Sequence, residues 1–152
     1  MGRRTAITAL VIAIVGGAVY YFAFHRPPRQ GSDREQILRM IVDVERAVEQ
    51  GRVSGVMEHI SEAYEDSHGL NRRMVQRLVT AGARDQQRAD LSVQVPDVEV
   101  TGDEATFAAE VDYSVSGGEM IHMTVTATLA RENGRWKVIS AEGWQGAEAA
   151  YY

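Results

Sequence analysis

Tyr64, Asp66 and His68 stand within five residues of one another in the stretch AYEDSHG. A phenol, a carboxylate and an imidazole at that spacing are a candidate donor, base and proton shuttle. Glu142 is a second candidate base and Tyr113 a second candidate donor. Ordinary turn chemistry competes with this reading, because Asp, Ser, His and Gly at positions 66–69 also spell a turn. Glu110 and Asp112 are two apart in an alternating stretch and therefore share a face. That face is opposite Phe107, Val111 and Tyr113, so both acids are expected to look out at water. His25, His59, His68 and His122 recur at no ligand spacing, and no metal site is expected. No phosphate-cradling glycine loop or serine elbow occurs, and no cofactor is expected. The chain has no cysteine, which excludes a thiol nucleophile, thiolate metal ligands and disulfides.

Two further groups are candidates for binding. Arg72, Arg73 and Arg77, followed by Arg84 and Arg88, form a basic patch. Either they are a solvated helix face or they contact an anionic ligand or partner. Trp136 and Trp144 share alternation with Val138, Ser140 and Glu142. They are expected either to pack along one strand or to present an aromatic surface to another chain.

Charge is divided unevenly along the 152 residues. The first 32 hold four arginines and no acid. The following 120 hold 12 of the 16 Lys+Arg and all 21 Asp+Glu, a net charge of −9. A surface so acidic argues against nucleic-acid binding, which works by displacing counterions with a basic face. Residues 1–5 form a short tail containing Arg3 and Arg4. Residues 6–24, from Ala6 to Phe24, contain no charge. A helix of 19 residues at ~1.5 Å each nearly spans the ~30 Å hydrocarbon core. Tyr20, Tyr21, Phe22 and Phe24 crowd its far end, as aromatic residues do at the interface. A cleaved signal peptide is the rival reading, but bulky aromatics and His25-Arg26-Pro27-Pro28 fill the place where a small-x-small cleavage site would fall. An uncleaved single-pass anchor in a bacterial inner membrane is expected, with the C-terminal part outside the cytosol. Residues 25–32 are a proline-stiffened linker. Residues 33–145 are of single-domain size, and 146–152 are a tail.

The elements that would position the candidate groups follow from periodicity. Ser32-Asp33-Arg34-Glu35 is a capping box. Ile37, Ile41, Val44 and Val48 then mark one stripe of a helix that stops at Gly51. A second helix is predicted from Ser54 to about Tyr64. A third is predicted after Asn71, with Met74, Val75, Leu78 and Val79 as its apolar side and Gly82 as its end. Four strands follow. The first is kinked at Pro96-Asp97, where the alternation slips. The second runs from Ala105 to Val115 and the third over Ile121–Leu129. The fourth runs from Trp136 to Trp144. Turns are predicted at Gly102-Asp103, at Gly117-Gly118 as a two-residue hairpin, and at Asn133-Gly134. Helices followed by an antiparallel meander make an α+β domain, with three helices on the concave face of a bent four-stranded sheet.

That order, together with Ala63-Tyr64-Glu65-Asp66, Val100-Thr101-Gly102-Asp103-Glu104-Ala105 and Glu132-Asn133-Gly134-Arg135-Trp136-Lys137-Val138, resembles the nuclear-transport-factor-2-like superfamily (SnoaL-like and ketosteroid isomerase-like domains) over residues 33–143. The resemblance implies a cone-like fold that hosts isomerase-like and dehydratase-like enzymes, small-ligand binders and assembly modules, so it leaves function open. Three expectations stand together. One is a non-catalytic binding or assembly domain on a membrane anchor. Another is an isomerase- or dehydratase-like enzyme for a small apolar substrate, with Asp66 or Glu142 as base and Tyr64 or Tyr113 as donor. A third is an assembly role like that of the anchored periplasmic scaffold subunit of type IV secretion systems. The superfamily commonly dimerises through the outer sheet face, where Thr106, Thr124, Thr126 and Thr128 are expected.

Overall fold

A computed structural model describes residues 32–84, 89–95, 97–115 and 118–144. The predicted anchor, linker and C-terminal tail lie outside the described residues. No helix among those residues is long and apolar enough to cross a membrane. Contacts divide the chain after Ser32, and Asp33 onward forms one compact unit.

Helix α1 spans Asp33–Glu49. Its apolar stripe buries Ile37, Met40, Ile41 and Ala47. The helix ends as predicted, at Gly51 with φ of 62°, while the Arg52 amide donates to the Ala47 carbonyl at 2.8 Å. Helix α2, Val53–Met57, packs on α1. Its Gly55 comes so close to Ala47 that an added Cβ would stand 2.9 Å from the alanine methyl. The predicted second helix was to run to about Tyr64; one short helix forms instead. Residues 58–66 leave helical geometry because the free edge of the last strand recruits their backbone. Helix α3, Arg72–Arg84, is capped by the Asn71 side chain, which accepts from the Met74 amide at 3.1 Å. It runs two residues past Gly82.

The sheet holds β1 (Ala89–Gln94), β2 (Val98–Thr101), β3 (Glu104–Val115), β4 (Ile121–Glu132) and β5 (Arg135–Glu142), all antiparallel. β1 and β2 are halves of the predicted first strand. Both pair with β3, and Gln94↔Glu110 against Val98↔Phe107 leaves one extra residue on the first strand. That register offset falls where the kink was predicted, as a bulge would give, while Pro96 itself lies outside the described residues. Five strands appear where four were predicted. Asn133 and Gly134, with φ of 51° and 77°, close the β4–β5 hairpin as Asn-Gly dictates. The last described β3–β4 pair is Tyr113↔Ile121, and Gly117 of the predicted Gly117-Gly118 hairpin lies outside the described residues.

The main core lies between α1 and the inner sheet face. Ile37, Met40 and Ile41 meet Val98, Ala105, Ala127, Leu129 and Trp136. A second cluster, Met57, Tyr64 and Val75 with Ile60, Val79, Ala141 and Trp144, joins α2, α3 and residues 58–66 to the end of β5. Val138 belongs to both.

Candidate functional site

The segment carrying Tyr64, Asp66 and His68 is fixed along the outer edge of β5. The Ser61 amide donates to the Val138 carbonyl at 2.9 Å. The Val138 amide donates to the His59 carbonyl at 2.9 Å, and the Glu65 amide to that of Ile139 at 3.1 Å. Further hooks hold it. The Ser61 hydroxyl donates to Glu132 at 2.5 Å, and the Lys137 ammonium reaches the Glu58 carbonyl. Backbone pairing of this kind covers an edge that would otherwise stay open.

Asp66 is buried. Its Oδ1 accepts from the amides of His68 at 3.0 Å and Leu70 at 2.9 Å. This is an Asx-type turn, in which a short carboxylate stands in for a backbone acceptor. Gly69, at φ of 77°, completes it.

Glu142 holds the next residue. The Ser67 amide donates to its Oε1 at 2.7 Å and the Ser67 hydroxyl to its Oε2 at 2.6 Å, with His68 Nδ1 at 3.4 Å from Oε2. The hydroxyl first and the amide second favour the ionised form and hold this carboxyl below its ordinary pKa. A general base for work near neutral pH needs the opposite shift.

Tyr64 is 3% exposed. Burial first, then the Asp66 charge, pushes its phenol up to about 12, although Trp144 and the Ala141 backbone hydrogen-bond to it. The phenol therefore stays protonated at neutral pH. Its neighbour Trp144 donates from the indole to the Ala141 carbonyl at 3.0 Å.

Tyr113 is not brought to this place. It pairs with Ile121 at one end of β3, whereas Glu142 pairs with Thr126. Five residues along a strand separate the two sites, about 17 Å, and the two side chains lie on opposite faces. The change of face comes from a bulge in β5. Leu129 pairs with Val138, but Thr128 pairs with Ser140, so Ile139 is extra. Trp136, Val138 and Ala141 consequently face inward, while Ser140 and Glu142 face outward. This corrects the shared alternation predicted for Trp136, Val138, Ser140, Glu142 and Trp144. Trp136 is buried with the Arg131 guanidinium 4.5 Å above its ring. Arg131 also pairs with Asp33 at 2.5 Å and Asp103 at 3.2 Å. It ties the start of α1 to the sheet, and no spacing signal in the sequence marked it.

Glu110 and Asp112 point outward, as alternation predicts. Both engage His122, Asp112 at 2.6 Å from Nδ1 and Glu110 at 3.0 Å from Nε2. The Asp112 hydrogen bond leads in raising the imidazole pKa above its ordinary value. Thr124 donates to Glu110 at 3.2 Å. Thr106, Thr126 and Thr128 lie on the same outer face.

The basic patch divides. Arg72 turns back onto the fold, donating to the carbonyls of Ile60 at 3.4 Å and Met57 at 3.3 Å, and approaches Glu62 at 3.4 Å. Arg73 and Arg77, with Gln76, Thr80, Ala81 and Arg84, line a surface groove of about 370 Å³ on α3. Another of about 400 Å³ lies on α1 beside Leu38, Arg39, Val42, Asp43 and Arg46. Among the described residues, no three His, Asp or Glu side chains are grouped to hold a metal ion.

No protein-family model and no curated protein matches the sequence. Solved structures do resemble the fold. Bd1075 of Bdellovibrio bacteriovorus superposes with a TM-score of 0.64 at 12% identity over 72% of this chain, which spans only 39% of that protein. An NTF-2 like protein of unknown function from Shewanella oneidensis gives 0.63 at 12% identity, over 72% of this chain and 97% of that one. A protein of Novosphingobium aromaticivorans provisionally named a scytalone dehydratase gives 0.64 at 14% identity, over 73% and 82%. These likenesses show the fold, which is like that of the NTF-2 like protein of Shewanella oneidensis. Identities this low carry the architecture and leave the activity to the residues.

Proposed function

We propose that this chain is a membrane-anchored, non-catalytic binding or assembly domain, held in a bacterial inner membrane by residues 6–24 with its α+β domain outside the cytosol. One observation carries the non-catalytic part. The two candidate bases, Asp66 and Glu142, accept hydrogen bonds from the amides and hydroxyl of residues 67–70. Asp66 closes the turn of residues 66–70, and Glu142 holds that turn to β5 through Ser67. Exposed Arg73 and Arg77 are the proposed partner contacts, and the threonine-rich outer sheet face is the proposed contact with a second copy.

The anchor is tested by alkaline extraction of membranes, followed by the mass of the retained chain. Full-length protein in the pellet is expected. A soluble product beginning near residue 25 would overturn the anchor. A C-terminal reporter active only in the cytosol would overturn the orientation.

A dehydratase-like enzyme is the second reading. It is supported by the placing of Tyr64 beside Asp66 and by the likeness to the Novosphingobium protein. Asp66→Asn and Glu142→Gln decide between the two. The non-catalytic reading expects weaker folding and no turnover of hydroxylated apolar compounds by the parent. Turnover by the parent that vanishes in a folded variant would establish the enzyme.

A further inference from the structure

Helix α3 carries four arginines and no acid, in a stretch, residues 33–152, whose net charge is −9. At about 100° per residue, Arg73, Arg77 and Arg84 fall within one arc of about 40° and extend about 16 Å along the axis. Among the described residues no carboxylate pairs with any of the three. Beside this arc runs a second exposed strip. Met74 and Leu78, expected to be buried, are 41% and 38% exposed, while Val75 alone on this helix is buried. A stripe of guanidinium groups flanked by exposed apolar side chains is the composition of a helix that lies in a lipid interface. There the cations meet phosphates and the apolar strip enters the acyl boundary.

We propose that α3 docks flat on an anionic phospholipid surface, with Arg73, Arg77 and Arg84 on lipid phosphates and Met74, Leu78 and Ala81 inserted. The proposal rests on the anchor reading, which supplies the proximity. The sequence places only eight residues, 25–32, between the anchor reading and α1, and they read as a proline-stiffened linker. That is short enough to turn a weak surface contact into an intramolecular one. Charge complementarity selects the occupant. The acidic remainder of the domain is repelled by anionic lipid, so α3 is the face left to turn toward it.

The test uses the full chain in nanodiscs. Because the protein has no cysteine, Ala81→Cys accepts a single polarity-sensitive fluorophore. A rise in emission of about twofold with a blue shift is expected in discs containing phosphatidylglycerol. Discs of phosphatidylcholine alone should give none. The response should vanish in the Arg73→Glu/Arg77→Glu/Arg84→Glu variant and in high salt, and shrink in Met74→Ser/Leu78→Ser. Equal emission in both disc types, or a response that survives the triple substitution, would overturn the proposal. So would a label shielded only when an acidic protein is added. Failure of the anchor reads out separately, since the chain would then elute apart from phosphatidylcholine discs. In that event flotation with phosphatidylglycerol vesicles supports the α3 contact, and the absence of flotation ends it.

Discussion

Tyr64 gives the residue scale its clearest test. Its phenol is held protonated up to about 12, whereas an unfolded tyrosine ionises near 10. The folded state therefore keeps a proton that the unfolded state has lost. The stabilisation is whole below pH 10 and is lost as pH rises toward 12. The loss amounts to about 2–3 kcal/mol, since one pKa unit is worth ~1.4 kcal/mol. In urea titrations from pH 9 to 12, Tyr64→Phe should remove this part of the alkaline decline. Glu142 acts at the other end of the scale. Its folded pKa lies below the ordinary value, so its contribution is present above about 4.5 and disappears as pH falls through the folded value. Ser67→Ala, which removes the donor with the largest effect, should raise the midpoint of acid unfolding; an unchanged midpoint would deny the bond any role in holding residues 66–70. Gly143 makes a third case. Its φ is 94°, and an added Cβ would land on the Thr124 carbonyl oxygen. Gly143→Ala should cost at least the roughly 1–3 kcal/mol of a strained backbone, read as a lowered denaturation midpoint.

At the scale of elements, what could be read in the sequence depended on whether the chain signals its own irregularities. Asn133-Gly134 announces a hairpin because both residues accept positive φ, and Pro96 announces a bulge because it cannot donate to a ladder. Ile139 announces nothing. A β-branched residue fits a regular strand and carries no turn signal of its own, so only the change of apolar parity from Trp136 and Val138 to Ile139 and Ala141 marks the slip of the backbone by one. That slip turned Glu142 outward, to the face opposite Tyr113. The second helix misled for a similar reason. Val56, Met57 and Ile60 have helical spacing, but Ile60 forms a bridge with Val138 instead. Pairing with a strand 75 residues or more away is invisible in a local window. On α3, Met74 and Leu78 fitted the apolar period of a buried stripe, yet only the Val75 side meets the fold. The Gly55–Ala47 contact between α1 and α2 offers a quantitative check. Gly55→Ala forces the helices apart against 2.9 Å of space and should cost about 1–3 kcal/mol. Thermal unfolding measures it, and a neutral result would mean that α2 shifts freely.

The whole molecule poses a conflict between shape and charge. The centre of the outer sheet face is small-chained, with Thr106 opposite Thr128 and Ala108 opposite Thr126. Such a surface suits stacking against a second copy. The same face carries Glu110 and Asp112, and stacking two copies gathers four of these acids in a chain whose residues 33–152 are already at −9. His122 sits between the two acids, and its raised pKa makes it the local counter-charge whenever it is protonated. Self-association should accordingly strengthen as pH falls through the imidazole's titration and as salt is added, because ~0.1 M salt screens exposed charges beyond about 10 Å. Ala108 isolates the interface from the fold. It is exposed, so Ala108→Arg removes no internal packing but plants a bulky cation in the middle of the stacked threonines. Sedimentation equilibrium of the full chain in detergent should show a monomer–dimer equilibrium that Ala108→Arg shifts to monomer, while the circular dichroism of the variant stays that of the parent. A chain monomeric at every concentration and pH would end the self-association, and an Ala108→Arg variant that associates as tightly as the parent would move the contact elsewhere; either leaves the threonine face to solvent.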